Sequence, residues 1–305
     1  MSPKIVSLSE EVRQALSHRE PVVALESTII AHGLPRPRNL EVATEFESTL
    51  RDQGVVPATI AILDGVAHIG LNSEQLDRVA NDDTIRKFGY RDLAIAAGTR
   101  ASGATTVSAT AALARQAGID VFATGGLGGV HRDWTVAQDE SADLDVLSRT
   151  RITVVCSGVK SILDVDATLQ RLETLNVGVV GYRTDTFPGF YLHSSGHDID
   201  WTVDSPDVIA AIMRAQIEYG DNGALVVGNP VATQLQLDPQ LHERVLTAGL
   251  EAARTDGISG QDVTPYLLSY LVEHTSGASL EANLAAVRGN VALAGEIATA
   301  YVRSI

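Results

Sequence analysis

Short apolar runs that alternate with amphipathic segments are the feature that most constrains the fold of this 305-residue chain. Apolar spacing typical of helices occurs at residues 40–50, 107–117 and 161–175, between runs short enough to be buried strands. Strand–helix–strand order favours a mainly parallel sheet with crossover helices. The composition agrees, because aromatic residues make up only 5% of the chain. The predicted strands are residues 22–25, 58–63, 121–123, 152–156, 177–181 and 224–228.

The last third of the chain is predicted to be mostly helical. Ser205-Pro206, Asp238-Pro239 and Thr264-Pro265 each place a capping residue before a proline, which indicates the start of a helix. Residues 279–302 form a long alanine-rich helical stretch. No linker rich in Pro, Gly or Ser separates this region from the rest. We therefore predict an α/β fold with three layers, α/β/α, formed by a single domain over residues 1–305.

Charge and cysteine content exclude several classes of protein. The formal net charge of −15 argues against a general surface for nucleic acid or an anionic membrane. No stretch is long and apolar enough to span a bilayer. The chain has one cysteine, Cys156, so it cannot form an intramolecular disulfide, which fits the reducing cytoplasm. The expected partner is a small molecule.

Ligands of open parallel sheets bind beyond the carboxyl ends of the strands, so the residues that follow each apolar run deserve scrutiny. Lys160 follows the fourth run, and burial there would favour a neutral, nucleophilic amine that can form a Schiff base. Alternatively, Lys160 begins the next helix and faces water. Glu26 follows the first run and is a candidate general acid. Its alternative role is a structural ion pair.

Two loops and one charged segment allow both functional and structural interpretations. The glycine-rich loop at residues 124–129 could cradle a phosphate, or form a tight turn in a crowded core. The acidic loop at residues 138–143 could hold a hard divalent cation, or cap a helix. Residues 82–93 offer Lys87 as an anion partner, although mixed charge is more typical of a solvated helix face.

These segments occur together in an order that resembles the pseudouridine-5'-phosphate glycosidase family over nearly the whole chain. Any one of them is weak evidence, whereas all of them in register are specific. The segments that carry the resemblance are residues 26–33 (ESTIIAHG), 103–107 (GATTV), 121–132 (VFATGGLGGVHR), 141–144 (SADL), 153–164 (TVVCSGVKSILD) and 279–283 (SLEAN).

The resemblance implies reversible cleavage of pseudouridine 5'-phosphate to uracil and ribose 5-phosphate. It also implies a homotrimer with one Mn²⁺ per subunit. By position, Lys160 matches the family's Schiff-base lysine, Glu26 its proton donor and Asp139 its metal ligand. Further positions match substrate-binding residues: Lys87, Val107, Ser141, Ala142, Asp143, Thr124, His131 and Asn283.

The chain departs from the family pattern at Leu34, Arg36 and Tyr90, which bears on contacts at the rim of the site. The chemistry itself suits the residues, because the scissile bond joins two carbons. An imine between a lysine and the opened ribose supplies the electron sink that departure of a ring carbon requires. Two other functions fit the same residues: a lysine-dependent aldolase of sugar phosphates, and a non-catalytic protein that binds a sugar phosphate or nucleotide.

Overall fold

A computed structural model describes residues 5–132, 134–258 and 263–304 of the chain. Its strands are β1 (Val6–Leu8), β2 (Val22–Leu25), β3 (Val56–Leu63), β4 (Val66–Ile69), β5 (Arg86–Phe88), β6 (Gly103–Thr105), β7 (Val121–Ala123), β8 (Thr153–Cys156), β9 (Gly178–Tyr182), β10 (Thr202–Val203) and β11 (Leu225–Gly228). Its α-helices are α1 (Glu10–His18), α2 (Arg38–Asp52), α3 (Ser73–Asn81), α4 (Leu93–Thr99), α5 (Val107–Ala117), α6 (Trp134–Ala137), α7 (Ala142–Ser148), α8 (Val165–Thr174), α9 (Pro206–Tyr219), α10 (Pro239–Thr255), α11 (Val263–His274) and α12 (Ala278–Arg303).

The sheet is mainly parallel, as the sequence predicts. Its strands follow the order β1-β4-β3-β2-β7-β8-β11-β9-β10, and β6 and β5 branch from β3. Only the pairings of β3 with β4 and of β3 with β6 are antiparallel among the described strands. At the centre of the sheet, β7 pairs with β2 on one side and with β8 on the other. The residues that follow these three strands therefore meet at one edge.

Helices cover both faces of the sheet, which confirms the α/β prediction. Val22 and Ala24 of β2 pack into one core together with helices α1, α5, α7, α8, α10 and α11. Val23 and Leu25 point the opposite way, into a second core with α2, α9 and α12. This alternation follows from the two-residue period of a strand. All four residues of β2 are buried, as expected for a strand covered on both sides.

Capping residues set most of the helix boundaries that the sequence predicts. Ser205 caps α9 and Asp238 caps α10, each with a proline at the first helical position. Asp164 caps α8, so this helix begins at Val165 rather than at residue 161. That boundary is significant, because it leaves the residues just after β8 in a loop. Thr264 lies inside α11, which begins one residue earlier.

The charged segment at residues 82–93 differs from the expected solvated helix. It contains the short strand β5, which pairs in parallel with β6. Its paired strand β6 in turn pairs with β3, and the Thr105 amide donates to the Ser27 hydroxyl at 2.9 Å. Because Ser27 directly follows Glu26, this contact brings β5 and β6 to the edge where β2 ends. Within the described residues, no helix is long and apolar enough to cross a membrane.

Candidate active site

Glu26 lies directly after β2, half-buried, and two hydroxyl groups hold its carboxylate. Thr28 donates a hydrogen bond to one carboxylate oxygen and Thr124, which follows β7, donates to the other. Within the described parts of the chain, no lysine or arginine nitrogen lies within 4.0 Å of this carboxylate, so the structural ion pair is not formed. Hydroxyl donors fix the position of the carboxylate and leave it available as an acid or base.

Lys160 lies in the loop after β8 and is half-buried, so it neither begins a helix nor extends fully into water. Its amide donates to the Leu127 carbonyl at 3.1 Å, which ties the loop to the glycine-rich segment. The turn before it depends on Gly158, whose φ is +84°. A Cβ atom at Gly158 would lie 2.0 Å from the Pro188 carbonyl oxygen, so only glycine fits there.

Lys87 lies in the middle of β5, close enough to Lys160, Asp143 and Glu26 for their charges to affect its pKa. Lys87 is an exposed residue, so it stays in contact with solvent. Partial desolvation of its ammonium group and the charge of Lys160 lower the pKa of Lys87, whereas Asp143 and Glu26 oppose the shift. Two lysines and two carboxylates thus lie near one another at this edge of the sheet.

Asp143 is buried, and both of its carboxylate oxygens are occupied by main-chain donors. The Ser108 amide, in the first turn of α5, donates to one oxygen at 2.9 Å, and the Gly128 amide donates to the other at 2.9 Å. Asp143 therefore fixes two loops relative to each other. Ser141 caps α7 by accepting from the Asp143 amide, which confirms the helix-cap interpretation of this segment. Ala142, between them, is exposed.

Two main-chain amides of the glycine-rich loop at residues 124–129 are already bonded within the protein. Its Leu127 amide donates to the Gly158 carbonyl and its Gly128 amide to Asp143, each at 2.9 Å. These two amides are therefore not available to a phosphate. A Cβ atom at Gly128 would lie 2.2 Å from the Ser141 hydroxyl oxygen, and one at Gly129 would lie 2.4 Å from the Thr168 hydroxyl oxygen. Close packing accounts for Gly128 and Gly129.

The remaining predicted site residues lie in different surroundings: Val107, His131, Asp139 and Asn283. The Val107 side chain is buried in the core, so this residue can offer a ligand only its main chain at the start of α5. His131 Nε2 lies 3.7 Å from an Asp139 carboxylate oxygen, beside the acidic loop. The Asn283 side-chain oxygen is buried and has no hydrogen-bond partner among the described residues. A Cβ atom at Gly125 would lie 3.2 Å from that oxygen.

Known proteins match this chain along nearly its whole length. A family model described as "Indigoidine synthase A like protein" matches residues 11–300. A curated pseudouridine-5'-phosphate glycosidase of Streptomyces griseus is 67% identical over 294 residues, covering 96% of this chain and 91% of the relative. The chain belongs to the pseudouridine-5'-phosphate glycosidase family. A second glycosidase, of Salinispora tropica, is 57% identical over 291 residues, covering 95% and 90% of the two chains.

Solved structures confirm the family's fold. A prealnumycin C-glycosynthase in complex with ribulose 5-phosphate superposes with a TM-score of 0.92 at 34% identity, over 99% of this chain and 98% of that one. An indigoidine synthase A-like protein of Thermotoga maritima gives a TM-score of 0.88 at 38% identity, over 97% and 96% of the two chains. The resemblance found in the sequence is thereby confirmed.

Two of the departures from the family pattern have evident structural roles in this glycosidase-family chain. Arg36 donates to the Ala80 carbonyl at 2.9 Å and pairs with Asp83 at 2.8 Å, so it ties its loop to the end of α3. The Tyr90 ring lies under the Arg149 guanidinium, 4.9 Å from ring centroid to Cζ. Leu34 is buried in the core with α2. The side chains at all three positions thus make contacts within the protein.

Sequence reasoning missed Asn290, the residue of α12 that contacts two of the three central strand ends. It is fully buried and donates to the Thr124 carbonyl at 2.8 Å and to the Ser157 hydroxyl at 3.1 Å. One signal was available: Asn283 and Asn290 lie seven residues apart, on one face of an otherwise alanine-rich helix. In this chain, α12 packs on β7 and β8.

Proposed function

We propose that this chain catalyses the reversible cleavage of the carbon–carbon glycosidic bond of pseudouridine 5'-phosphate, giving uracil and ribose 5-phosphate. The placement of Lys160, Glu26 and Lys87 at one edge of the sheet carries this proposal. Support comes from the names of the relatives and from the C-glycosynthase that binds a pentose phosphate. An amine, an acid and a cation are what a ring-opening reaction on a sugar phosphate needs.

In the proposed reaction, the Lys160 amine, once deprotonated, attacks the anomeric carbon of the sugar. Glu26 gives a proton to the ring oxygen as the carbon–oxygen bond breaks, which opens the ribose. The attached nitrogen then gives a proton back to the Glu26 carboxylate, which frees its lone pair. That lone pair forms a protonated imine as the bond to carbon 5 of uracil breaks, and Glu26 passes its proton to that carbon. Water hydrolyses the imine and releases ribose 5-phosphate. Lys87 holds the phosphate through its charge.

The direct test incubates the protein with uracil and ribose 5-phosphate, then looks for pseudouridine 5'-phosphate by mass spectrometry. Borohydride is added in parallel to trap the imine, followed by peptide mapping. We expect the product, and a reduced adduct on the peptide that contains Lys160. An aldolase would give the adduct but no pseudouridine 5'-phosphate. A pure binding protein would give no covalent mass shift, which would refute the proposal.

Binding of the phosphate should weaken in alkaline solution because Lys87 loses its proton. Its pKa lies below the ordinary lysine value of 10.5, so the charged form is complete only below the lowered pKa. Affinity for ribose 5-phosphate should therefore fall as pH rises through that pKa, at a lower pH than for an ordinary lysine. Titration calorimetry in a Lys160→Met background measures binding without imine formation, and desolvation, the larger cause of the lowered pKa of Lys87, remains in that background. Lys87→Arg, which stays charged, should flatten the pH dependence; an unchanged profile would exclude this role.

We further propose that Asp139 holds the manganese ion that the family resemblance implies. Within the described residues, no group of three or more His, Cys, Asp or Glu side chains is arranged to hold a metal. A single half-buried carboxylate nevertheless fits a hard cation that keeps most of its water ligands. When bound, such an ion would supply positive charge that orients uracil or a water molecule.

Manganese binding is testable without an activity assay. Free Mn²⁺ gives a strong electron paramagnetic resonance signal, so the bound fraction follows from its loss as protein is added. Asp139→Asn should weaken binding by about tenfold or more, since the only protein carboxylate proposed for the site is lost. Asp145→Asn, at an exposed aspartate that pairs with Arg149 on the same segment, is the matched control. Equal Mn²⁺ affinity in Asp139→Asn would place the ion elsewhere.

The remaining parts of the proposal concern organisation. We propose that residues 1–305 form one domain, that three copies assemble as a homotrimer, and that the protein acts in the cytoplasm. The single buried cysteine, Cys156, supports a reducing compartment. Sedimentation equilibrium would give the mass of the assembly, and any value other than three chains would contradict the trimer.

A further inference from the structure

Asn290 is a polar residue on a helix face that otherwise packs into the core. Its neighbours on this face, Val287, Val291 and Ala294, are buried apolar residues. An amide side chain that is 0% exposed has a high desolvation cost unless its donors and acceptors are all satisfied. Asn290 meets this condition, and its partners lie at the carboxyl edge of the sheet, where the reacting groups are found.

The hydrogen bonds of Asn290 join three adjacent strand ends. Its amide nitrogen donates to the Thr124 carbonyl after β7 and to the Ser157 hydroxyl after β8. Its amide oxygen accepts from the Asn229 side chain after β11, at 3.0 Å. Because the Thr124 carbonyl can only accept, the orientation of the Asn290 amide is fixed by its partners. One short side chain therefore hydrogen-bonds to polar groups that follow three different strands.

Two of these partners lead directly to the reacting groups. Thr124 donates its hydroxyl hydrogen to the Glu26 carboxylate, so the position of the Thr124 main chain sets the position of that donor. Ser157 stands at the start of the loop that carries Lys160, and its amide is bound to the Gly125 carbonyl at 2.9 Å. Asn290 thus contacts both the segment that holds the acid and the segment that carries the amine.

We propose that Asn290 is a positioning residue that fixes the separation between Glu26 and Lys160. This inference rests on the proposed function of those two residues. Asn290 touches neither group directly and acts through the Thr124 carbonyl and the Ser157 hydroxyl. Ring opening requires the amine to attack while the acid protonates the leaving oxygen, so a small change in their separation lowers the rate without removing either group.

The test compares steady-state kinetics of Asn290→Ala with those of Ser279→Ala. Ser279 is equally buried on the same helix, and its hydroxyl accepts from Thr275, away from the strand ends. Asn290→Ala should lower kcat on the order of 100-fold with KM within about threefold, as expected for misplaced reacting groups. Ser279→Ala should lose thermal stability but keep its kcat. If Asn290→Ala fails to fold, Asn290→Ser leaves a smaller cavity. This variant should likewise lower kcat with little change in KM.

A double-mutant cycle separates positioning from a general loss of packing. Thr124→Val removes the hydroxyl through which Asn290 reaches Glu26 while conserving volume. Because Asn290 acts through Thr124 as well as Ser157, the double variant should lose less kcat than the product of the two single losses. Losses that multiply fully would overturn the inference, as would a wild-type kcat in either Asn290 variant. A wild-type protein that makes no pseudouridine 5'-phosphate would instead refute the proposed function itself.

Discussion

Replacing Lys160 with methionine should abolish turnover, with a loss of about 10⁴-fold or more, because no amine remains to attack the anomeric carbon. The chain contains three lysines, Lys4, Lys87 and Lys160, and 20 arginines among its 23 basic residues. A guanidinium stays protonated and cannot act as a nucleophile. Methionine keeps the length and apolar character of the lysine stem, so the loop should stay folded.

Lys160→Arg is the matched variant for this prediction, because it keeps the positive charge and removes the nucleophile. We expect both variants to bind ribose 5-phosphate, measured by calorimetry, and neither to give an adduct with borohydride. Activity in Lys160→Arg alone would mean that charge, not covalent chemistry, is the contribution of this residue. Near-normal activity in Lys160→Met would refute the covalent role altogether.

The central sheet could be predicted because its strands are buried on both faces. Such strands appear in the sequence as continuous apolar runs, and β2, β7, β8 and β11 all lie within one or two residues of their predicted bounds. The rule that ligands bind at the carboxyl ends of parallel strands then selected Glu26, Thr124 and Lys160. The structure confirms that the residues after β2, β7 and β8 meet at one edge.

The branch formed by β5 and β6 could not be predicted from local sequence. These strands have three residues each, too few to show an alternating pattern, and β5 contains two charged side chains. Their pairing depends on β3, which lies more than 20 residues away along the chain, and on the hydroxyl of Ser27. The position of Lys87 near Glu26 therefore follows from long-range contacts.

The glycine-rich loop shows why a motif does not by itself identify its ligand. Glycines permit close approach of the main chain to a phosphate, and they equally permit close approach of one protein segment to another. Here the neighbours at Gly128 and Gly129 are the Ser141 and Thr168 side chains. Sequence alone cannot distinguish the two cases, because both require the absence of a Cβ atom.

Replacing Glu26 with glutamine should lower the rate of pseudouridine 5'-phosphate cleavage by about 10²- to 10⁴-fold, the usual range for loss of a general acid. The substitution preserves the shape of the side chain. It removes the transferable proton and turns one of the two acceptors into a donor, so either Thr28 or Thr124 must reorient its hydroxyl. Unchanged turnover at saturating substrate would rule out Glu26 as the acid.

The proposed role of Glu26 makes a sharper prediction when the two substrates are compared. Ribose 5-phosphate already has a free aldehyde in its open form, so its imine with Lys160 does not require protonation of a ring oxygen during ring opening. Borohydride trapping with ribose 5-phosphate should therefore survive in Glu26→Gln, whereas cleavage of the glycoside is lost. Equal loss of both would show that the carboxylate is needed to hold Lys160 or the sugar in place, since the ring oxygen is involved in only one of the two reactions.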